Sequence, residues 1–257
     1  MASHPALPLA GRCVLVTGAS SGIGRAIALA AAHHGADVAI TYRANASGAS
    51  DVVENITAMS RRAAAFQLDL ANDMSVRTVA KQVQTTLGRV DVWINNAGAD
   101  ILTGEAAALD TLGRLDRLIT VDLRGTMVAS WEAVSLMQQQ PAGGVIINMS
   151  WDHVISGMPG TNPQLFAAVK GGVLAFSKAL ARSVAPAIRV NVIAPGWIET
   201  SFGEAVDEQT HHAVAESTPL KRWGRPEDVA GAAVYLASPA ANFLTGQTIM
   251  VGGGLVM

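Results

Sequence analysis

Short apolar runs punctuate this chain, and the stretches between them carry apolar residues at helical spacing. The runs are CVLVT from Cys13, DVAIT from Asp37, AAAFQL from Ala63, DVWIN from Asp91, GVIINMS from Gly144, IRVNVIA from Ile188 and QTIMV from Gln247. Each reads as a β-strand. Between the first two, Ile23, Ala26, Ile27, Ala30 and Ala31 mark one face of a helix packed on a sheet. Strands and helices that alternate in this way predict an α/β fold, a doubly wound, seven-stranded parallel sheet with helices on both faces. A longer helix is expected from Leu109 to Gln139, ended by Pro141 and the Gly143-Gly144 pair. Residues 197–218 are more polar and follow a strand end, the place for a mobile substrate lid with Trp197, Phe202 and Trp223 as apolar contacts.

Composition narrows the picture. A chain of 257 residues without repeats or low-complexity linkers is read as one domain spanning 1–257. Half of its residues are hydrophobic and 15% are charged, so much of the surface is expected to face protein, its own core or another subunit. A net charge of −2 and a pI near 6.3 give no broad positive field, which argues against nucleic acid or a membrane as partner and leaves a small molecule. The one cysteine, Cys13, lies in a strand-like run and suits a reducing compartment. With no basic leader and no long apolar window, a cytoplasmic location is expected.

Candidate chemistry begins directly after the first strand, with TGASSGIG. Gly18, Gly22 and Gly24, with Ser20, Ser21 and Ile23 among them, lead into a helix. Such glycines let the backbone turn tightly and approach a pyrophosphate, whose charge meets the helix N-terminus, as in the Rossmann dinucleotide-binding fold. An acidic residue at the end of the second strand would bind the ribose hydroxyls of NAD; this chain has Thr41, Tyr42 and Arg43 there. The Arg43 guanidinium can pair with a 2′-phosphate, so NADP(H) is expected over NAD(H).

The glycine spacing and the motifs that follow it resemble the short-chain dehydrogenase/reductase family over essentially the whole chain. The general pattern is similar to 3-oxoacyl-acyl-carrier-protein reductases and bacterial glucose dehydrogenases. The resemblance implies that Asn96, Ala97 and Gly98 of NNAG line the adenosine side, and that Asp69 and Leu70 lie against the adenine. In PGWIET, it places Pro195 and Gly196 around the nicotinamide, Ile198 with its backbone on the carboxamide, and Thr200 near the phosphates. It also implies a homodimer or homotetramer, with the long helix from Leu109 and the helix of Lys170 forming a four-helix interface.

The catalytic pattern breaks. In the family, a tyrosine in YxxxK supplies the proton that a reduced ketone needs, steadied by a serine and an asparagine. Here the stretch is FAAVK: Phe166 has no proton to give, and Lys170 keeps only its hold on the nicotinamide ribose. Counted from Asn148, the serine position falls on Trp151 rather than Ser150, in a loop longer than the family's. The asparagine is replaced by Asp122 in VDLRG, and the terminal D-G-G reads Gly252-Gly253-Gly254.

Three readings follow. In one, the chain is an active oxidoreductase on a small C=O or C=N compound, with polar chemistry from Asp152 or His153 and a pocket shaped by Trp151. The imidazole of His153 is the better acid by its ordinary range, and Asp152 by position. In another, it is a dinucleotide-binding sensor or structural partner, with Phe166 as core, Trp151 filling the site and Asp152 and His153 as a surface pair. In a third, the substrate is an iminium, whose reduction needs no proton. Certain fungal indole-alkaloid reductases of the superfamily also lack the tyrosine, and Arg124 and Asp152 are the positions to compare with them. The pairs His33-His34 and His211-His212 read as a helix end and a solvated helix, and no metal site is expected.

Overall fold

A computed structural model describes residues 7–200 and 206–257. All seven expected strands form: β1 (Cys13–Val16), β2 (Asp37–Tyr42), β3 (Ala63–Gln67), β4 (Val92–Asn95), β5 (Gly144–Met149), β6 (Ile188–Pro195) and β7 (Thr248–Val251). They pair in parallel as one sheet in the order β3-β2-β1-β4-β5-β6-β7. The chain winds outward from β1 to β3, returns, and winds the other way from β4. Such an order leaves a crevice beyond the C-terminal ends of β1 and β4, where ligands of doubly wound sheets bind.

Strand periodicity builds two cores. Val14 and Val16 of β1, Val92 and Ile94 of β4, and Val145 and Ile147 of β5 face one layer. There α1 (Gly22–His33), α2 (Ala46–Ala58) and a late helix, Pro226–Ala237, cover the sheet. Cys13, Leu15, Trp93 and Ile146 face the other layer, under α3 (Asp73–Leu87), the helix at Gly125–Met137 and the helix at Thr161–Val184. Burial, with Asp91 nearby, pushes the Cys13 thiol up to about 12, in keeping with an inert core residue.

The long helix expected from Leu109 is present with a change of winding. It comprises α4 (Thr111–Leu118), a π-helical segment (Ile119–Arg124) and α5 (Gly125–Met137). Gly143 then turns the chain at φ 60°, and a side chain there would collide with the Ala187 carbonyl. The short α6 (His153–Ser156) and the long α7 (Thr161–Val184) follow β5. After β6, α8 (Glu208–Ser217) and α9 (Pro226–Ala237) lead to β7. Of the expected lid, residues 201–205, with Phe202, lie outside the described residues. Trp223 is corrected from lid contact to core: it is 2% exposed, stacks on His211 at 4.7 Å and donates its Nε1–H to the His211 carbonyl. His211 is therefore a packing partner rather than part of a solvated face. Among the described residues, no helix is long and apolar enough to cross a membrane, and no cluster of His, Cys, Asp or Glu could hold a metal.

Candidate functional site

The glycine loop and the NNAG segment meet at the switch point. Gly18 turns at φ 63°, and a Cβ there would lie 2.8 Å from Ala97 Cα. A Cβ on Gly24 would collide with the Gly18 carbonyl and Asn96 Nδ2, so the N-terminus of α1 can sit directly under the loop only because that side chain is absent. Asn96 Nδ2 donates to the carbonyls of Thr17 and Gly18 at 3.0 and 3.1 Å, and Thr17 Oγ1 accepts from the amides of Asn96 and Ala97 at 3.0 Å each. The loop is thereby shaped before any ligand arrives. Beneath it, buried Asn95 bonds Asn148 Oδ1 and Ser130 Oγ, and Asn148 bonds Ser177 Oγ, a polar ladder linking β4, β5, α5 and α7.

The remaining cofactor candidates surround this loop. Ser20 and Ser21 lie in its bend ahead of α1, followed by Gly22 and Ile23. Thr200 packs across from Gly22, with Cγ2 3.6 Å from where a Cβ would stand. Arg43 is exposed just past β2, with no ion pair among the described residues. Asp69 is exposed and caps the Ala71 amide, while Leu70 is buried against Gly125. Gly196 hydrogen-bonds Val251, and Ile198 bridges to Gly224 through the Trp197 carbonyl and the Glu199 amide. That bridge leaves the Ile198 amide and carbonyl unused by the described residues. Together, a turned glycine loop at a helix N-terminus, an exposed guanidinium at the β2 tip and, on the far side, a peptide group that no described residue engages form a donor set that fits a phosphorylated dinucleotide.

Next to this cleft, the structure brings the altered tetrad positions together. The π-helical segment aims Asp122 inward: Oδ2 lies 2.9 Å from Lys170 Nζ and Oδ1 accepts from the Ala99 amide at 2.6 Å. Both charged groups are buried, at 1% for Asp122 and 6% for Lys170. Lys170 Nζ stands 5.4 Å from the centroid of the Phe166 ring, whose edge meets Trp151 at 5.4 Å. Phe166 is half-buried and packs against the small apolar cluster of Ile101, Leu118 and Val169. Ser150 is buried and spends its hydroxyl on the Lys170 carbonyl, a structural use. The same helix turns Arg124 outward to a bidentate pair with Asp73 at 2.5 Å, away from Lys170; as a site residue it is set aside.

Asp152 and His153 are not a surface pair. Asp152 is fully buried and His153 is 9% exposed. Asp152 Oδ1 accepts from the His153 amide at 2.7 Å and contacts His153 Nδ1 at 2.6 Å. The imidazole stacks on Trp151 at 4.9 Å and 22°, and meets the Trp197 ring edge-on at 6.4 Å. Asp152 Oδ2 has no hydrogen-bond partner among the described residues and lies against the backbones of Gly196 and Gly252. The sequence named the pair as candidates, but nothing in it revealed that Gly252 forms one wall of their pocket.

Fold and cleft define a dinucleotide-binding protein of the doubly wound class. A family model described as enoyl-(acyl carrier protein) reductase matches residues 18–256. A 3-oxoacyl-acyl-carrier-protein reductase of Staphylococcus epidermidis is 35% identical over 247 residues, covering 96% of this chain and 99% of that protein. Among solved structures, a short-chain dehydrogenase from Burkholderia cenocepacia in complex with NADP superposes with a TM-score of 0.87 at 33% identity, covering 96% of this chain and 99% of that one. A 7α-hydroxysteroid dehydrogenase complexed with NADH and 7-oxoglycochenodeoxycholic acid gives 0.88 at 30% identity, covering 98% and 96%. The chain belongs to the short-chain dehydrogenase/reductase family of oxidoreductases.

Proposed function

We propose that this chain is an NADP(H)-dependent oxidoreductase acting on a small C=O or C=N compound, with the Asp152–His153 pair in place of the missing serine and tyrosine. The observation that carries this reading is the 2.6 Å contact between buried Asp152 Oδ1 and His153 Nδ1, just beyond the C-terminal end of β5. A carboxylate on Nδ1 orients an imidazole and leaves Nε2 for proton exchange. The ring lies between Trp151, at the family's serine position, and Trp197, in the segment that frames the nicotinamide by resemblance.

The bound dinucleotide supplies or accepts the hydride. The turn at Gly18–Gly24 and the α1 N-terminus receive the pyrophosphate, with Thr200 opposite Gly22. Arg43 pairs with the 2′-phosphate, unopposed by any carboxylate at the β2 tip. The NADP held by the Burkholderia relative supports that choice. Asp69 and Leu70 flank the adenine, the Ile198 peptide holds the carboxamide, and Lys170, oriented by Asp122, donates to the ribose. The alkoxide left by hydride addition to a ketone would take its proton from Nε2 of the His153 imidazolium, leaving a neutral imidazole with its Nδ1–H on Asp152.

The experiment is NADPH oxidation against a panel of ketones, imines and iminium compounds, with binding followed by calorimetry. His153→Ala is expected to lower ketone turnover about 10²- to 10⁴-fold while NADPH affinity holds. Full turnover in both His153→Ala and Asp152→Ala sinks the proton role. One observation favours a second reading: the phenyl ring of Phe166 lies beside Lys170 with no hydroxyl to offer. A cationic C=N substrate needs none, and wild-type turnover confined to such compounds would favour it. Tight NADPH binding without turnover on any of them would make the chain a sensor or structural partner.

A further inference from the structure

Gly252 replaces the aspartate of the family's D-G-G signature, and backbone geometry gives it no reason to be glycine. Its φ lies outside the left-handed region, unlike Gly253 at 63° and Gly254 at 87°. Space does give a reason. A Cβ built on Gly252 would collide with Asp152 Oδ2, and the next nearest atoms are Asp152 Cγ at 3.4 Å and Gly196 Cα at 3.7 Å. Gly196 differs, because a Cβ there would meet the Gly252 backbone at 2.8 Å as well as Asp152 Oδ2 at 2.5 Å.

The carboxylate is held by its contacts. Asp152 is fully buried, its Oδ1 is pinned by the amide and Nδ1 of His153, and its own amide donates to the Pro195 carbonyl. Moving Oδ2 away from a side chain at 252 means rotating Oδ1 off the imidazole. We infer that Gly252 is the positioning residue of the Asp152–His153 pair: its missing side chain is the space that holds the carboxylate against Nδ1. Asp152, a candidate acid, and Gly252, a departure from the family's terminal signature, are then one feature. The inference deepens the proposed role of His153, but the geometry it concerns can be read without turnover.

The test is NMR of imidazole nitrogens in histidine-labelled protein, with the His153 signals assigned by their loss in His153→Gln. Gly252→Ala is expected to move the His153 signals to the positions seen in Asp152→Ala. In Asp152→Ala/Gly252→Ala, the second change should add nothing. Gly231→Ala, on α9 with nothing within 4 Å of its Cβ position, is the neutral control. His153 signals unmoved in Gly252→Ala would overturn the inference. If Gly252→Ala fails to fold, folding regained in the double variant supports it, and failure of both overturns it. Ketone turnover separates the two claims: wild-type rates in Asp152→Ala and His153→Ala remove the proton role yet leave the NMR result to decide the positioning.

Discussion

The two carboxylates beside the cleft are stabilised differently, and the difference is measurable. Asp122 has the Lys170 ammonium at 2.9 Å and a backbone amide, whereas among the described residues Asp152 has only the imidazole and the amide of His153. Removing one member of a buried pair strands the other, at a cost of about 3–5 kcal/mol, while removing both in favour of apolar groups is often close to neutral. Asp122→Asn should therefore lower stability in urea more than Asp122→Asn/Lys170→Met does. Equal losses in the two variants would mean that the pair contributes little. At this scale, the sequence was legible where chemistry depends on residue type. Phe166 cannot donate a proton anywhere. It was illegible where chemistry depends on burial: Asp152 with His153 could have been a solvated pair, and only the fold sets them beneath Trp151 and Trp197.

Elements were easier to read than their ends. Seven strands were visible because β-period runs alternate between two covered faces, as Val14 and Leu15 do in opposite layers. The π-helical winding at Ile119–Arg124 was not visible, since it has the same residue types as the helix around it. Yet it sets Asp122 inward and Arg124 outward. The start of α9 makes a prediction of its own. Asp228 accepts from Arg222 Nη1 and Nη2 at 2.7 and 3.1 Å, and from the Arg225 amide at 2.7 Å. These contacts, the Arg222 bond first, hold its carboxyl below the ordinary value of 3.8. A carboxyl depressed in the folded state stabilises fully above its unfolded value and loses that contribution as pH falls through the folded one. The stability gap between wild type and Asp228→Asn should be constant above about pH 5 and shrink below the ordinary carboxyl range. A gap independent of pH down to acid unfolding would count against this.

Over the whole molecule, the apolar composition makes a partner surface an expectation to be tested. Trp131 on α5 is 51% exposed, edge-on to Phe176 of α7 at 5.9 Å, on the helices where family resemblance puts a four-helix interface. Sedimentation should find the protein as a dimer or tetramer, and Trp131→Glu should shift it to smaller species. A monomeric wild type would contradict the assignment. The tie between Thr17 and Asn96 has a consequence during synthesis. Strand β1 leaves the ribosome early, but the groups that shape its glycine loop belong to the end of β4. A nascent chain shorter than Asn96 therefore carries all three glycines with only the Thr41 contacts of β2 to hold them. Competence to grip a dinucleotide comes with the fourth strand, well after the motif that announces it has been made.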